Sequence, residues 1–160
     1  MALGALVWGA PEVTGSGESL VESLLLGQSG TLFLVTLLAT RLLTTVGSYG
    51  TGLPGGIFAP LLALGTLVGV IFDQGVAELA PGLGLGPGLF AVAAMGALFA
   101  ATVRAPLTGV ILVIELTGAL DLGLPVLLTC LIATFTAEAL GGRPIYCLLL
   151  AQGHQAPPLL

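Results

Sequence analysis

GSYGTGLPGGIFAP, residues Gly47 to Pro60, holds five glycines and a proline in its first ten positions and ends on a proline four residues after Gly56. It lies within Leu42–Phe72, a run of 31 residues with no charged side chain. Glycine and proline at this density break regular structure, so the pattern predicts an unwound segment, Gly47–Gly56, between two apolar helices. The first is predicted over about Thr31–Val46 and the second over Ile57–Ala77, where Pro60 fits the first turn because its missing N–H has no partner to lose there.

Outward from this stretch the chain stays apolar. Ser23–Thr40 is 18 residues without charge, Leu79–Val103 is 25 and Leu122–Ala137 is 16. Charged residues make up 7% of the 160 and hydrophobic ones 56%, with a net charge of −5. Ordinary soluble domains carry about 25% charge. So little charge cannot cover a water-facing surface, and so much Leu, Val and Ala excludes disorder. Lipid is the solvent. A spanning helix needs about 20 apolar residues, which leaves room for about four to six membrane segments, several short. The 25 glycines and 10 prolines fit broken helices better than a plain bundle. The fold class is all-α, a polytopic integral membrane protein.

Further elements follow from the same signals. An apolar start at Met1–Trp8 and a short helix through about Leu26 precede Gly27–Gly30. Ala80–Gly88 is a loop, then helices are predicted over about Leu89–Ala101, Leu107–Leu116 and Leu124–Leu140, with breaks at 103–106 and 117–123. Gly141-Gly142-Arg143-Pro144 opens a last short helix through about Leu150. The membrane unit is taken as residues 1–155, with 156–160 a frayed tail. Gly65-x-x-x-Gly69 permits close helix contact.

The chemistry available is narrow. In lipid, irregular backbone must be buried or line a cavity. The helix opening at Ile57 presents N–H groups with no partner inside it, and its dipole adds a partial positive charge. Gly55 and Gly56 let an ion approach the backbone. An anion site of this kind requires no basic side chain. The plainer reading is a hinge between packed helices. Tyr146, on the first turn after the second glycine-rich break, either points its hydroxyl at the same anion or anchors at an interface.

The remaining polar groups read blandly. Glu115 is placed at its helix end, capping backbone or pairing with Arg104, because a charge at the bilayer centre costs about 2.5–3.5 kcal/mol. Glu138 is expected to pair with Arg143. Asp73 and Glu78 mark a watery helix end, and Arg41 pairs or snorkels. Cys130 and Cys147 are expected as buried free thiols. The chain's sole His, His154, is in the tail, and Asp121 and Asp73 have no paired motif, so no catalytic site or metal cluster is assigned. Net negative charge excludes a nucleic-acid footprint.

GGIFAP at Gly55–Pro60, VRAPLTGVILVIELTG at Val103–Gly118 and GGRPIYCLLL at Gly141–Leu150 together resemble, in order and spacing, the CLC family of voltage-gated chloride channels and chloride/proton antiporters. The resemblance runs from about Ala2 to Gln152. It implies the C-terminal portion of an inverted-repeat transporter fold and transmembrane chloride transport with no covalent chemistry. The Ile57 and Phe58 amides would bind chloride, Tyr146 would donate to it from the cytoplasmic side, and Gly55, Gly56 and Pro60 would form the loop. No cofactor is implied, chloride being the cargo. The helices near Leu107–Leu116 and Leu124–Leu140 correspond to segments at the family's dimer interface, which implies a homodimer of the full-length protein in the cell (inner) membrane.

The family's GSGIP and GREGP motifs have no counterpart in these 160 residues. No gating glutamate is therefore assigned, and channel and exchanger stay open. The resemblance thus implies a missing N-terminal half, absence of a following regulatory domain, and an alternative function as a non-transporting fragment or assembly partner.

Overall fold

The computed structural model of the chain describes residues 30–50, 56–80 and 88–153. Among them lie six α-helices and no strand: α1 (Thr31–Gly50), α2 (Phe58–Leu79), α3 (Leu89–Val103), α4 (Pro106–Thr117), α5 (Gly123–Ala139) and α6 (Ile145–Gly153). A 3-10 turn at Leu120–Leu122 leads into α5. Three stretches are long and apolar enough to cross a bilayer, Thr31–Tyr49, Phe58–Leu79 and Leu120–Ala139, while α3 and α4 are apolar but shorter. The protein is an all-α membrane protein. The elements expected before Gly30, the loop at 81–87 and the tail at 156–160 lie outside the described residues.

Proline sets the starts. Pro60 is the third residue of α2, Pro106 opens α4 and Pro144 immediately precedes α6. Each occupies a place where a helix lacks an internal acceptor for the N–H. The ends use left-handed residues. Gly141 has φ +72°, and the N–H groups of Gly141 and Gly142 return to the carbonyls of Glu138 and Ala137 at 2.9 and 3.1 Å. That arrangement satisfies the last carbonyls of α5 and turns the chain sharply.

One boundary departs from the sequence expectation. Helix α1 does not unwind at Gly47 but continues through Gly50. A glycine in a helix costs about 1 kcal/mol relative to alanine. Breaking the helix in lipid would strand backbone groups at several kcal/mol each, so the helix wins.

Helix α3 is the centre of the bundle, touching α2, α4 and α5. Its buried face, with Val92, Met95, Phe99 and Ala100, packs against Leu62 and Ala63 of α2, Val113 of α4, and Val126 and Cys130 of α5. Helices α2 and α3 run antiparallel in one register. Phe58 stacks on Phe99 with centroids 5.4 Å apart, and Phe72 meets Phe90 edge-on at 5.0 Å. Between these two ring pairs the glycines let the backbones touch. A Cβ added at Gly65 would lie 2.6 Å from the Met95 Cα, and one at Gly69 would lie 2.5 Å from the Ala91 Cα. The Gly65/Gly69 pair is therefore a packing device. Helix α1 joins through Leu34 and Leu37 against Leu67.

The charged groups correct several expectations. Glu115 lies in the last turn of α4, as expected, but forms no ion pair with Arg104, whose guanidinium instead donates to the carbonyls of Thr134 and Gly142. Two carbonyl acceptors match the planar fork of arginine and leave no donor geometry favouring Glu115. Glu138 and Arg143 are both exposed and unpaired with each other, since a solvated pair gains only about 0–1 kcal/mol. Arg41 is 2% exposed and engaged with other groups, so of its two expected fates it does not snorkel along the surface. Glu78 is exposed at the end of α2. Both cysteines are free, Cys130 buried and Cys147 exposed. Cys147 escapes burial because α6 packs only lightly, against α3.

Candidate anion site

The approach to α2 is held by a phenol. The Tyr49 hydroxyl donates to the Gly56 carbonyl at 2.8 Å, so the last turn of α1 grips the residue just before the N-cap of α2. Gly56 itself is exposed, and a Cβ built on it would meet nothing within 4 Å. Among the described residues nothing fills the space beside Gly56. Gly55 lies outside the described residues.

Ile57 is the N-cap residue, with φ −85° and ψ −31°, and no side chain caps the helix. No acidic residue occupies the first turn. The amides of Ile57 and Phe58 thus belong to the group of helix N–H donors that have no internal acceptor. The helix dipole concentrates partial positive charge at the same place, worth about 0.3–1 kcal/mol to an anion and up to ~2 in a partly buried setting. Ile57 packs inward at 7% exposure, whereas Phe58 is half-exposed with one ring face on Phe99. The first turn is consequently anchored on both sides of the donor pair.

Tyr146 is the second residue of α6 and is 42% exposed. Among the described residues its hydroxyl makes no hydrogen bond, in contrast to that of Tyr49. The turn leading to it is fixed by the Gly142 N–H on the Ala137 carbonyl and by Arg104 on the Gly142 carbonyl at 2.8 Å. Among the described residues no hydrogen bond or ring contact joins Tyr146 directly to Ile57 or Phe58. Both neighbourhoods instead meet the C-terminal turn of α3. Phe99 touches the start of α2, and Arg104 ties down the turn before α6.

Three participants escaped the sequence reading. Tyr49 sits in the quoted glycine-rich stretch, and a phenol one loop away from a helix start is a usable signal for a loop anchor. Phe99 looks like any other apolar residue of its helix. Arg104 drew attention as a charge seeking a carboxylate, although an arginine just past a helix end also serves unpaired carbonyls.

Comparison with known proteins adds an independent line. The family model described as Voltage gated chloride channel matches residues 1–138. A protein of Vibrio parahaemolyticus named H(+)/Cl(-) exchange transporter ClcA is 50% identical over 147 residues, covering 92% of this chain and 32% of that protein. The protein of the same name from Vibrio campbellii is also 50% identical over 147 residues, covering 31% of its length. One from Salmonella arizonae is 48% identical over 142 residues, 89% of this chain and 30% of the relative. The chain thus spans about a third of the length of these curated relatives. A match over residues 1–138 takes in the uncapped start of α2 and most of the bundle that supports it, and on that basis the chain belongs to the voltage-gated chloride channel family.

Proposed function

We propose that this chain forms the C-terminal part of a membrane transporter for chloride, with the anion held by the amides of Ile57 and Phe58 and by the Tyr146 hydroxyl. The observation that carries the reading is the uncapped start of α2, with Gly56 beside it unobstructed by any described residue and the whole set within a 31-residue stretch free of charge. The chemistry is desolvation balanced by preorganised donors. Chloride loses water on entering the apolar bundle, and N–H and O–H groups with no other partner among the described residues replace it. Because the donors are neutral, the ion is held without the deep trap that a buried lysine or arginine would create, which suits an ion that must also leave. The relatives' names favour chloride/proton exchange over a channel. Residues supplying a gate and a proton route belong, in this reading, to the portion of the transporter outside the 147 matched residues.

A bacterial inner membrane is the setting that fits these relatives. A homodimer fits the lipid-side faces of α4 and α5, where Leu107, Ile111, Leu124, Leu128, Ile132 and Phe135 are all exposed.

Chloride flux in liposomes tests the function. The chain is reconstituted alone and together with a separately produced N-terminal half of a ClcA relative. Flux in the combined sample, abolished by Tyr146→Ala together with Gly56→Leu, is the expected outcome. Absence of chloride flux from both samples despite correct insertion would refute the proposal.

A further inference from the structure

We propose that Arg104 is a positioning residue for the Tyr146 hydroxyl, holding the start of α6 in register with the start of α2. The inference rests on the chloride reading above and adds a residue to it. Arg104 is the one non-glycine residue with a left-handed backbone among those described, at φ +65°. A residue with a Cβ is disfavoured there. The chain nevertheless keeps an arginine at this point, and its side chain has a defined task. Nη1 donates to the Thr134 carbonyl at 2.6 Å and Nη2 to the Gly142 carbonyl at 2.8 Å. The first acceptor lies within α5 and the second lies beyond its end, so one guanidinium clamps both sides of the turn that introduces α6. Thr134 strengthens the same junction by donating its hydroxyl to the Cys130 carbonyl at 2.8 Å, with the Ala100 carbonyl of α3 at 3.3 Å.

The turn has few other supports. Helix α6 contacts the bundle lightly, through α3. Gly142 is three residues before Ile145, the first residue of α6, so a shift of its carbonyl is passed to Tyr146 within a single turn. Five residues before Arg104, Phe99 stacks on Phe58. The C-terminal turn of α3 therefore carries one contact to each of the two helix starts that supply chloride donors. Its bonds are directional and need a fork. A lysine keeps the charge but cannot span two carbonyls.

A double-mutant cycle on chloride affinity tests this in the full chain in lipid nanodiscs, read by chloride NMR line broadening, with helical content checked by circular dichroism. Arg104→Met and Arg104→Lys are each combined with Tyr146→Phe. Loss of one hydrogen bond to an ion predicts roughly 10- to 100-fold weaker binding for Tyr146→Phe. Either Arg104 variant should weaken chloride by a comparable factor alone and add nothing in the Tyr146→Phe background. If Arg104→Met does not fold, the Arg104→Lys arm of the cycle decides. Wild-type affinity in Arg104→Lys would mean that the charge acts on the anion directly, and would overturn positioning. Losses that multiply in the double variants would overturn it as well, while leaving the Tyr146 assignment intact. Unchanged affinity in Tyr146→Phe itself would remove the chloride role of Tyr146, and this proposal with it.

Discussion

Gly69→Leu is expected to abolish cooperative folding of the chain, whereas Gly75→Ala on the same helix is expected to raise its stability slightly. The contrast follows from what each new side chain would meet. At Gly69 even a methyl group lies 2.5 Å from the Ala91 Cα, and it also runs into the Phe90 carbonyl oxygen. These are backbone atoms of a neighbouring helix and cannot rotate away. Helices α2 and α3 must therefore separate along their whole antiparallel seam, which loosens the Phe58–Phe99 and Phe72–Phe90 contacts at its two ends. Overpacking a core typically costs about 1–3 kcal/mol, and leucine at a backbone contact belongs at or above the top of that range. At Gly75 a methyl group meets nothing within 4 Å. There the gain is the ordinary helical preference for alanine, about 0.5–1 kcal/mol. Urea unfolding in mixed micelles, followed by circular dichroism, reads both. Equal stability of the two variants would show that the α2–α3 contact is not the seam on which the bundle depends.

Replacing the Phe58 amide by an ester is expected to weaken chloride binding roughly 10- to 100-fold, because one hydrogen bond to a charged partner is worth about 1.5–3 kcal/mol. The ester removes a single N–H and leaves the phenyl ring on Phe99. It also makes the Ile57 carbonyl a poorer acceptor, and that carbonyl receives the Leu61 N–H at 3.3 Å. An ester at Leu61 is the matched control, since it deletes this same helical bond and leaves the Phe58 N–H in place. The account expects the Leu61 ester to lower stability by about 1 kcal/mol with no loss of chloride affinity. Similar losses of affinity in both esters would place the effect in the helix rather than at the ion. The measurement is chloride titration of semisynthetic protein in nanodiscs.

Much of the architecture was legible because lipid makes the sequence simple. Long charge-free runs mark what lies in the membrane, and Pro60, Pro106 and Pro144 mark where α2, α4 and α6 begin. The Gly65/Gly69 spacing announced a close helix contact, and α3 supplies the other side of it. Legibility ended where the outcome depends on competition between neighbours. Gly47 looked like a break, but the cost of stranding backbone groups in lipid keeps α1 helical through Gly50. Arg104 looked like the partner of Glu115, but two carbonyls brought together by the end of α5 suit its fork better. Cys147 looked buried because its surroundings in sequence are apolar, yet apolar neighbours along a lightly packed helix do not cover it.

The candidate site was legible in part for a related reason. A glycine-rich approach and a proline-started helix are local features, so the start of α2 could be placed from residues 55–60 alone. The supports that make it a defined geometry lie outside those residues, one seven residues from its partner and one on another helix. Tyr49 reaches across the loop to Gly56, and Phe99 comes from another helix to stack on Phe58. The Phe99–Phe58 pairing has no periodicity or motif that one sequence could reveal, whereas Tyr49, within the glycine-rich stretch Gly47–Gly56, offered a local cue.

The central claim is that an anion sits at the start of α2 on backbone amides. Bromide, a heavier halide of the same charge, can be located by its anomalous scattering in crystals of the protein soaked in bromide. The account predicts a peak within hydrogen-bonding reach of the Ile57 and Phe58 amides and on the side of the Tyr146 hydroxyl. A well-ordered α2 start with no peak there, or with bromide bound only at the exposed Arg143, would contradict it.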